Sequence, residues 1–283
     1  EFQPLYVQYG GAFIYPLGAF LGGAHLLGLA RLTPDLAYYL AAPEAMGRLY
    51  LLGRLFVLLF HLGALWMLYE LGRILSDRRT GMVAAVLWAF APIAVVNSHL
   101  IKPYAPSAFF FLAAGYCVVR AVEEGRWIDY VLAGVGMGLA AGANLTVLLG
   151  LAAPLIARAC RREGSWVPAA LGAAAGLAAV VVTNPFLVLS PHDFAWELTI
   201  FSPSRFSLNA SLSAFATRVV PEGLGVVLAA LAALGLLRGL VVDARRRALS
   251  LLALLGGFIV LTRFAELASG ASSLRLHYPT AAL

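Results

Sequence analysis

The sequence predicts an all-α protein, a polytopic transmembrane helix bundle with loops and juxtamembrane helices on its outer face. Hydrophobic residues make up 61% of the 283 residues and charged residues only 12%, whereas a soluble domain carries about 25% charged residues. Too few charged side chains remain to cover a surface that faces water. The apolar residues also form runs separated by short polar turns, which is the pattern of successive membrane helices.

The N-terminal part combines a juxtamembrane region with a span. Tyr9–Ala30 is apolar but is interrupted by glycines and Pro16, so it either crosses the membrane or lies in the interface. Arg31–Arg48 mixes tyrosines with isolated charges, which suits the lipid-headgroup zone. Residues 1–48 are therefore predicted to form an outer loop and juxtamembrane portion. Leu49–Leu75 is predominantly apolar and long enough to span.

Residues 49–189 are predicted to form the helical core of a single membrane-embedded domain. After the first span come two apolar segments, Gly81–Val96 and Ala108–Val119, with a short polar connection at His99–Ser107 between them. We refer to this connection as the Lys102 turn. Val167–Leu189 is predicted to span again.

The segment Tyr130–Ala157 is too short for two full spans and long for one. We predict two short helices joined at residues 143–145, a break that protein or water must cover at membrane depth. Gly134, Gly138 and Gly142 recur at every fourth residue. They leave a bare strip on one helix face, where a neighbouring helix can approach closely.

The C-terminal part begins with the longest polar stretch. Residues 190–218 are predicted to form an outer loop that contains a short surface helix. Residues 219–283 are predicted to hold the C-terminal helices, with spans at Gly223–Leu240 and Ala248–Leu261 and a last polar loop at Arg263–Tyr278.

The distribution of basic residues predicts the orientation of the bundle. Four short turns carry most of them: Arg73, Arg78 and Arg79; Arg120 and Arg126; Arg158, Arg161 and Arg162; Arg238, Arg245, Arg246 and Arg247. The positive-inside rule makes this side cytoplasmic. The Lys102 turn, residues 31–48, residues 190–218 and residues 263–278 then share the outer face.

The outer face is predicted to hold an anion. Lys102 is the only lysine in the sequence. A cation between two membrane segments is costly unless a polar group contacts it. Guanidinium and ammonium groups at headgroup depth suit a phosphate. A solvated or snorkelling side chain remains the alternative for each of these cations.

Several classes of function are excluded by absent motifs. The sequence has no phosphate-binding glycine loop of the G-x-x-x-x-G-K-[ST] type, no H-E-x-x-H and no G-x-S-x-G. The net charge of +6 is explained by arginines that flank apolar spans, so no nucleic-acid partner is predicted. The two cysteines, Cys117 and Cys160, show no metal-ligand spacing and no disulfide framework.

A series of weak motifs follows in order along most of the chain. They are Gly53-Arg54-Leu55, Tyr69–Leu75, Gly81–Pro92, Ser98-His99 with Lys102-Pro103 and Phe109-Phe110, Ala133-Gly134 with Gly138-Leu139-Ala140, Asn184-Pro185, and an arginine-tyrosine-proline cluster near the last loop. Their order and spacing resemble the polyprenyl-phosphate-sugar-dependent membrane glycosyltransferases of the type-C superfamily. The bacterial relatives of protein O-mannosyltransferases and of the lipid A aminoarabinose transferase are the most similar in pattern.

Three departures from that family pattern bear on activity. Tyr104 stands where the family often has Asp, and Asn144-Leu145 stands where it often has Lys-Tyr. The family's catalytic carboxylate lies in a first outer loop, and Gln3-Pro4 looks like a later part of that loop. The resemblance thus implies that the catalytic Asp and a first transmembrane helix lie before Glu1, that the chain is a fragment also lacking a C-terminal part, and that its catalytic residue is unknown.

The resemblance implies sugar transfer from a polyprenyl-phosphate-linked donor at the outer, periplasmic face of a prokaryotic plasma (inner) membrane. Lys102, His99 and Arg205 are the implied ligands of the donor phosphate, and Tyr104 and Tyr9 the walls of the site. A carboxylate would deprotonate the acceptor or hold a divalent metal ion, and attack at the anomeric carbon would invert it. The acceptor, whether protein, lipid or glycan, is not identified by the sequence.

Two other classes of protein compete with the transferase. One is a membrane scaffold or inactive transferase relative, which Tyr104 and the missing first loop support. The other is a transporter subunit, whose mark is a broken helix with polar residues at mid-depth. Only Asn144 and Thr146 fit that mark, and the chain has no internal repeat.

Overall fold

The computed structural model describes residues 9–161, 163–191 and 225–255, and every regular element in them is helical. The helices are α1 (Gly11–Leu26), α2 (Leu36–Ala41), α3 (Pro43–Leu75), α4 (Arg78–Ala89), α5 (Pro92–His99), α6 (Tyr104–Glu124), α7 (Trp127–Ala143), α8 (Ala153–Cys160), α9 (Val167–Thr183), α10 (Phe186–Leu189), α11 (Val226–Val242) and α12 (residues 244–255). A 3-10 helix, Leu145–Ala152, precedes α8. The predicted all-α class is confirmed for this part of the chain.

Two of these helices, α3 and α6, are long and apolar enough to cross a membrane, and α4 together with α5 forms a third candidate. Helix α3 has 33 residues, so it is about 50 Å long and exceeds the hydrocarbon core of about 30 Å. These helices confirm the predicted membrane bundle. Helix α1 has 16 residues, about 24 Å, and whether it crosses or lies in the interface stays a prediction.

The predicted apolar segment Gly81–Val96 is divided between two helices. Helix α4 ends at Ala89 and α5 begins at Pro92, and the two axes are bent by 61°. Proline has no amide hydrogen and disfavours the helical conformation in the residue before it. Ala91 is accordingly extended, with φ −66° and ψ 127°.

The Lys102 turn is also shorter than predicted. Helix α5 continues through His99, and α6 begins at Tyr104 rather than at Ala108. Pro106 is compatible with this earlier start because it lies in the first turn of α6, where amide hydrogens have no partner within the helix. Only residues 100–103 therefore connect the two helices.

The break predicted at residues 143–145 is confirmed. Helix α7 ends at Ala143, and Asn144 is extended, with φ −142° and ψ 103°. The Asn144 side chain accepts a hydrogen bond from the Thr146 N–H and so begins the 3-10 helix. A second break, which was not predicted, falls at Asn184 before Pro185 and separates α9 from α10.

The glycine strip of α7 packs against α9, as predicted. A Cβ added at Gly134 would overlap the carbonyl of Gly172, and one added at Gly138 would overlap the carbonyl of Gly176. Because glycines face each other across the interface, the two backbones come into direct contact. At the end of α7 the third glycine, Gly142, lies against Thr183.

Two apolar clusters fill the bundle. The larger cluster contains residues of α6, α7, α8, α9 and α12. It includes Val118, Met137 and Leu252, each at most 2% exposed. The smaller joins α1, α3, α6 and α7 around Phe13 and Phe56. Ile101 of the Lys102 turn packs against the smaller cluster, so the turn is attached to the end of the bundle at which α1 begins.

The arginine turns meet at the other end. Arg161 Nη1 donates to two carbonyls in the last turn of α6, at 3.0 Å each. Arg245 Nη1 lies 3.1 Å from Glu123 Oε1, and Arg246 Nη2 donates to Leu75 O at 2.9 Å. These contacts join the turns that follow α3, α6, α8 and α11, and we call this the arginine end. Its assignment to the cytoplasm stays a prediction.

Candidate functional site

The end of the bundle opposite the arginine turns, which we call the polar end, is where α6 begins and α7 ends. Ser107 Oγ in the first turn of α6 donates to Ala140 O at 3.0 Å, in the last turn of α7. The Gly10 N–H, just before α1, donates to Ala143 O at 3.0 Å. The start of α1 is thus fixed beside the start of α6 and the end of α7.

Asn184 completes this junction by joining α1, α7 and α9. Its Oδ1 accepts the Gly11 N–H at 2.7 Å. Its Nδ2 lies within donating distance of Gly142 O, Val180 O and Thr183 Oγ1, at 3.2, 3.1 and 3.1 Å. One amide side chain therefore bonds to backbone groups of three helices where each helix begins or ends, and several backbone groups at a helix end lack a partner within their own helix.

The Lys102 turn is held firmly at the polar end. Ile101 lies against α3, where a Cβ added at Gly53 would stand 2.7 Å from Ile101 Cδ1. The Lys102 N–H donates to Leu100 O at 2.8 Å, and the Ser107 N–H donates to Pro103 O at 2.9 Å. The backbone at Lys102 is thus fixed on both sides by neighbouring contacts.

The side chain of Lys102 is half-buried and lies beside an aromatic ring. Its Nζ is 5.7 Å from the centroid of the Tyr104 ring, within the range of a cation–π interaction. Tyr104 is in the first turn of α6 and is 36% exposed. This pair presents a positive charge and an aromatic face together.

His99 is close in sequence but ends a different helix. It is the last residue of α5, and its side chain is exposed. Leu100 and Ile101 separate it from Lys102. The bend between α4 and α5 sets the direction of α5, and α5 ends with His99 at the polar end.

Tyr9 reaches the same end from α1. It precedes Gly10, whose N–H is bonded to Ala143 O. The Tyr9 phenol can donate a hydrogen bond. Tyr9, His99, Lys102 and Tyr104 thus share the polar end, whereas Arg205 lies outside the described residues.

The sequence alone missed the role of Asn184 in this arrangement. In the sequence the Asn-Pro pair contributes only to the family resemblance, yet Asn184 is the residue that holds α1, α7 and α9 together. A polar residue with a large hydrogen-bonding capacity just before a helix-breaking proline is a signal that could have identified it. Asn144, by contrast, was correctly predicted at a helix break.

The described residues do not fit a divalent-metal site. Within residues 9–161, 163–191 and 225–255, no three His, Cys, Asp or Glu side chains come together in a way that could hold an ion. Asp35, a carboxylate of the segment 31–48 that is predicted to lie on the outer face, accepts the Ala37 N–H at 2.9 Å and caps α2. The expected catalytic carboxylate therefore stays a prediction.

Comparison with known families agrees with the resemblance in the sequence. The family model described as dolichyl-phosphate-mannose-protein mannosyltransferase matches residues 34–189, more than half of the 283 residues. The matched stretch runs from α2 to α10 and includes His99, Lys102 and Tyr104. No curated protein and no solved structure matches the chain. The chain belongs to the dolichyl-phosphate-mannose-protein mannosyltransferase family, a family of membrane glycosyltransferases.

Proposed function

We propose that the polar end binds the phosphate of a polyprenyl-phosphate-linked sugar and takes part in transferring that sugar to an acceptor. Transfer takes place at the extracytoplasmic face of a prokaryotic plasma membrane, with the arginine end in the cytoplasm. Lys102 supplies the main positive charge. His99 and Arg205 add donors to the phosphate, and Tyr9 and Tyr104 form the walls of the site.

The observation that carries this proposal is the family match over the stretch that contains the Lys102 turn. The geometry supports it, because the Lys102 ammonium stands at a helix start beside an aromatic ring. An ammonium binds phosphate oxygens as a point charge. A tyrosine face beside it suits the apolar side of a sugar ring or an isoprene unit.

The reaction proceeds with inversion at the anomeric carbon. The acceptor oxygen bonds to that carbon on the face opposite the phosphate, while the bond from the carbon to the phosphate oxygen breaks and the phosphate leaves with its electron pair. A carboxylate takes the acceptor's proton. The Lys102 charge stabilises the negative charge that grows on the leaving phosphate.

Lys102→Ala in the complete protein tests the phosphate role. Affinity for a polyprenyl-phosphate mannose probe, measured in detergent by scintillation proximity, should fall about 10- to 100-fold, because a hydrogen bond to a charged group contributes about 1.5–3 kcal/mol. Lys102→Arg should keep most of the affinity. Arg238→Gln, which removes an exposed cation from α11, is the matched control. Unchanged affinity in Lys102→Ala would remove Lys102 from the site.

A transfer assay separates the enzyme from the alternatives. Membranes that hold the complete protein should release polyprenyl phosphate from the labelled donor and pass the sugar to endogenous protein, lipid or glycan. Donor binding without release would favour the inactive scaffold. The absence of both binding and release would leave the transporter subunit as the better explanation.

A further inference from the structure

Arg78 and Arg79 form an exposed cationic pair at the start of α4. Within the described part of the chain, neither side chain takes part in an ion pair or donates a hydrogen bond. The nearby carboxylate of Asp77 accepts the Thr80 N–H at 2.7 Å and caps the helix. The two guanidinium groups are therefore available to a partner outside the chain.

The other described arginines of this end are mostly used inside the fold. Ion pairs engage Arg73, Arg120, Arg126 and Arg245, and backbone carbonyls engage Arg158, Arg161, Arg246 and Arg247. Among the described arginines of these turns, Arg238 on α11 is also exposed and also has no partner within the described residues. An arginine at any of these positions would satisfy the positive-inside rule. Membrane orientation therefore does not explain why two adjacent arginines of α4 remain unpaired.

The position of the pair is unfavourable without an anion. The N-terminus of a helix carries partial positive charge, and cations in the first turn are destabilised by it. Arg78 and Arg79 are the first two residues of α4. An anionic group placed beside them would be attracted by both guanidinium groups and by the helix dipole.

An apolar stripe continues from the pair along α4. Met82, Val83 and Val86 are 61%, 57% and 48% exposed. At 100° per residue, Arg79 falls in the middle of this stripe and Arg78 at its edge. The opposite face carries Gly81, which packs against α3. The exposed face thus has two cations at one end and a continuous apolar surface below them.

We propose that this face of α4 binds an anionic phospholipid of the leaflet at the arginine end. The lipid phosphate lies between Arg78 and Arg79, and an acyl chain lies along Met82, Val83 and Val86. Charge complementarity selects an anionic headgroup over a zwitterionic one, because both guanidinium groups are unpaired. The apolar stripe selects a lipid over free phosphate, which offers nothing to cover it.

This surface is independent of the sugar-transfer proposal. It lies at the arginine end, away from the Lys102 turn, and it requires no donor. A protein that failed to bind a polyprenyl-phosphate sugar could still bind this lipid, and a loss of lipid binding would leave donor affinity intact.

Native mass spectrometry of the complete protein, titrated in detergent with dioleoyl phosphatidylglycerol or dioleoyl phosphatidylcholine, tests the proposal. Phosphatidylglycerol should bind more tightly. R78Q/R79Q should lower its affinity about 25-fold, since each arginine near an anionic headgroup contributes a factor of about five, and should leave phosphatidylcholine binding unchanged. R78K/R79K should keep most of the affinity.

R238Q is the matched control, because it removes an exposed cation of the same end that does not lie on the α4 stripe. Its affinity for phosphatidylglycerol should equal that of the unchanged protein, and millimolar inorganic phosphate should not compete. The proposal is overturned by equal binding of the two lipids, by unchanged affinity in R78Q/R79Q, by an equal loss in R238Q, or by competition from inorganic phosphate. If R78Q/R79Q fails to fold, the preference between the two lipids and R79Q alone decide the question.

Discussion

The two ends of this bundle are held together by different kinds of contact. At the arginine end, long side chains reach between turns: Arg161 and Arg246 bond to carbonyls at the ends of α6 and α3. At the polar end, the helices meet through their backbones and through short side chains. The Gly10 N–H bonds directly to Ala143 O, and Asn184 joins three helices.

This difference separates charged side chains that bond within the fold from charged side chains that are free to bind a ligand. Arginines that donate hydrogen bonds to carbonyls at helix ends stabilise the fold and interact favourably with the helix dipole. These arginines are not available for ligands. The polar end has its helix termini satisfied by glycine contacts and amides, so Lys102 and His99 are not needed for the junction. The comparison therefore predicts that added side-chain volume at the polar end lowers the stability of the fold. At the arginine end, the loss of a side chain should lower it.

The sharpest test of that comparison is a single methyl group at the polar end. Gly10→Ala should lower the free energy of unfolding by about 3 kcal/mol, because overpacking at a tight site costs about 1–3 kcal/mol and occasionally more. A Cβ there would overlap the carbonyl of Gly142. Denaturant unfolding in detergent, followed by circular dichroism, measures the change.

Gly18→Ala is the control for that substitution. Gly18 also lies in this N-terminal region, within α1, but a Cβ at this position would meet nothing within 4 Å. Its stability should stay the same or rise slightly, because alanine favours helix over glycine. Equal losses in the two variants would show that the polar end is not tightly packed.

Removing the amide of Asn184 should have the next largest effect. Asn184→Ala leaves the Gly11 N–H and the Gly142 carbonyl without this partner, and a buried unsatisfied group costs about 1–3 kcal/mol. We expect a loss of about 2 kcal/mol in the same unfolding assay. Asn97→Ala, whose side chain makes no hydrogen bond within the described residues, should be close to neutral. A neutral Asn184→Ala would remove Asn184 as the centre of the junction.

The arginine end should respond less to the loss of one side chain. Arg161→Met removes two hydrogen bonds to carbonyls in the last turn of α6 and should cost about 1 kcal/mol, since these groups are partly exposed. Arg238→Gln, at an exposed position, should leave the unfolding midpoint unchanged. A loss for Arg161→Met as large as that for Gly10→Ala would contradict the contrast between the ends.

The smallest effect should come from the cap of α4. Hydrogen bonds from Thr80 lower the pKa of the Asp77 carboxyl, so the stabilisation is fully present above the ordinary carboxyl pKa and is lost as pH falls through the lowered value. Asp77→Ala should therefore reduce the unfolding midpoint slightly at pH 7, and the difference should vanish in strong acid. Asp77→Asn, which also caps, should reduce it less. A difference that persists in acid would assign the effect to something other than the carboxylate.

The sequence predicted the helix breaks unevenly, for reasons that particular residues make clear. The break at Asn144 was predicted because an apolar segment of unusual length contained polar residues in its middle. The bend before Pro92 was missed because the surrounding residues are apolar on both sides and only the proline marks it. The early start of α6 was missed because Pro103 and Pro106 look like a loop, although proline is tolerated in a first helical turn.

The candidate site was predicted in part. Lys102 and His99 stand out in the sequence because they are polar residues between apolar segments. Their relation to Tyr104 required the helix to begin at Tyr104, which places its ring 5.7 Å from the ammonium. Two of the hydrogen bonds of Asn184, those with Gly11 and Gly142, join residues more than 40 positions apart, and local patterns carry no information about such pairs.

By itself the sequence determined the class of protein, the order of its apolar stretches, and which turns carry arginine. These properties follow from composition and from the requirement that membrane helices satisfy their own backbone groups. Only the tertiary structure decided which arginines are used in the fold and which stay exposed, and that Gly10, Ala143 and Asn184 meet. Such contacts depend on how closely helices approach, and that distance is set by small residues that face each other across an interface.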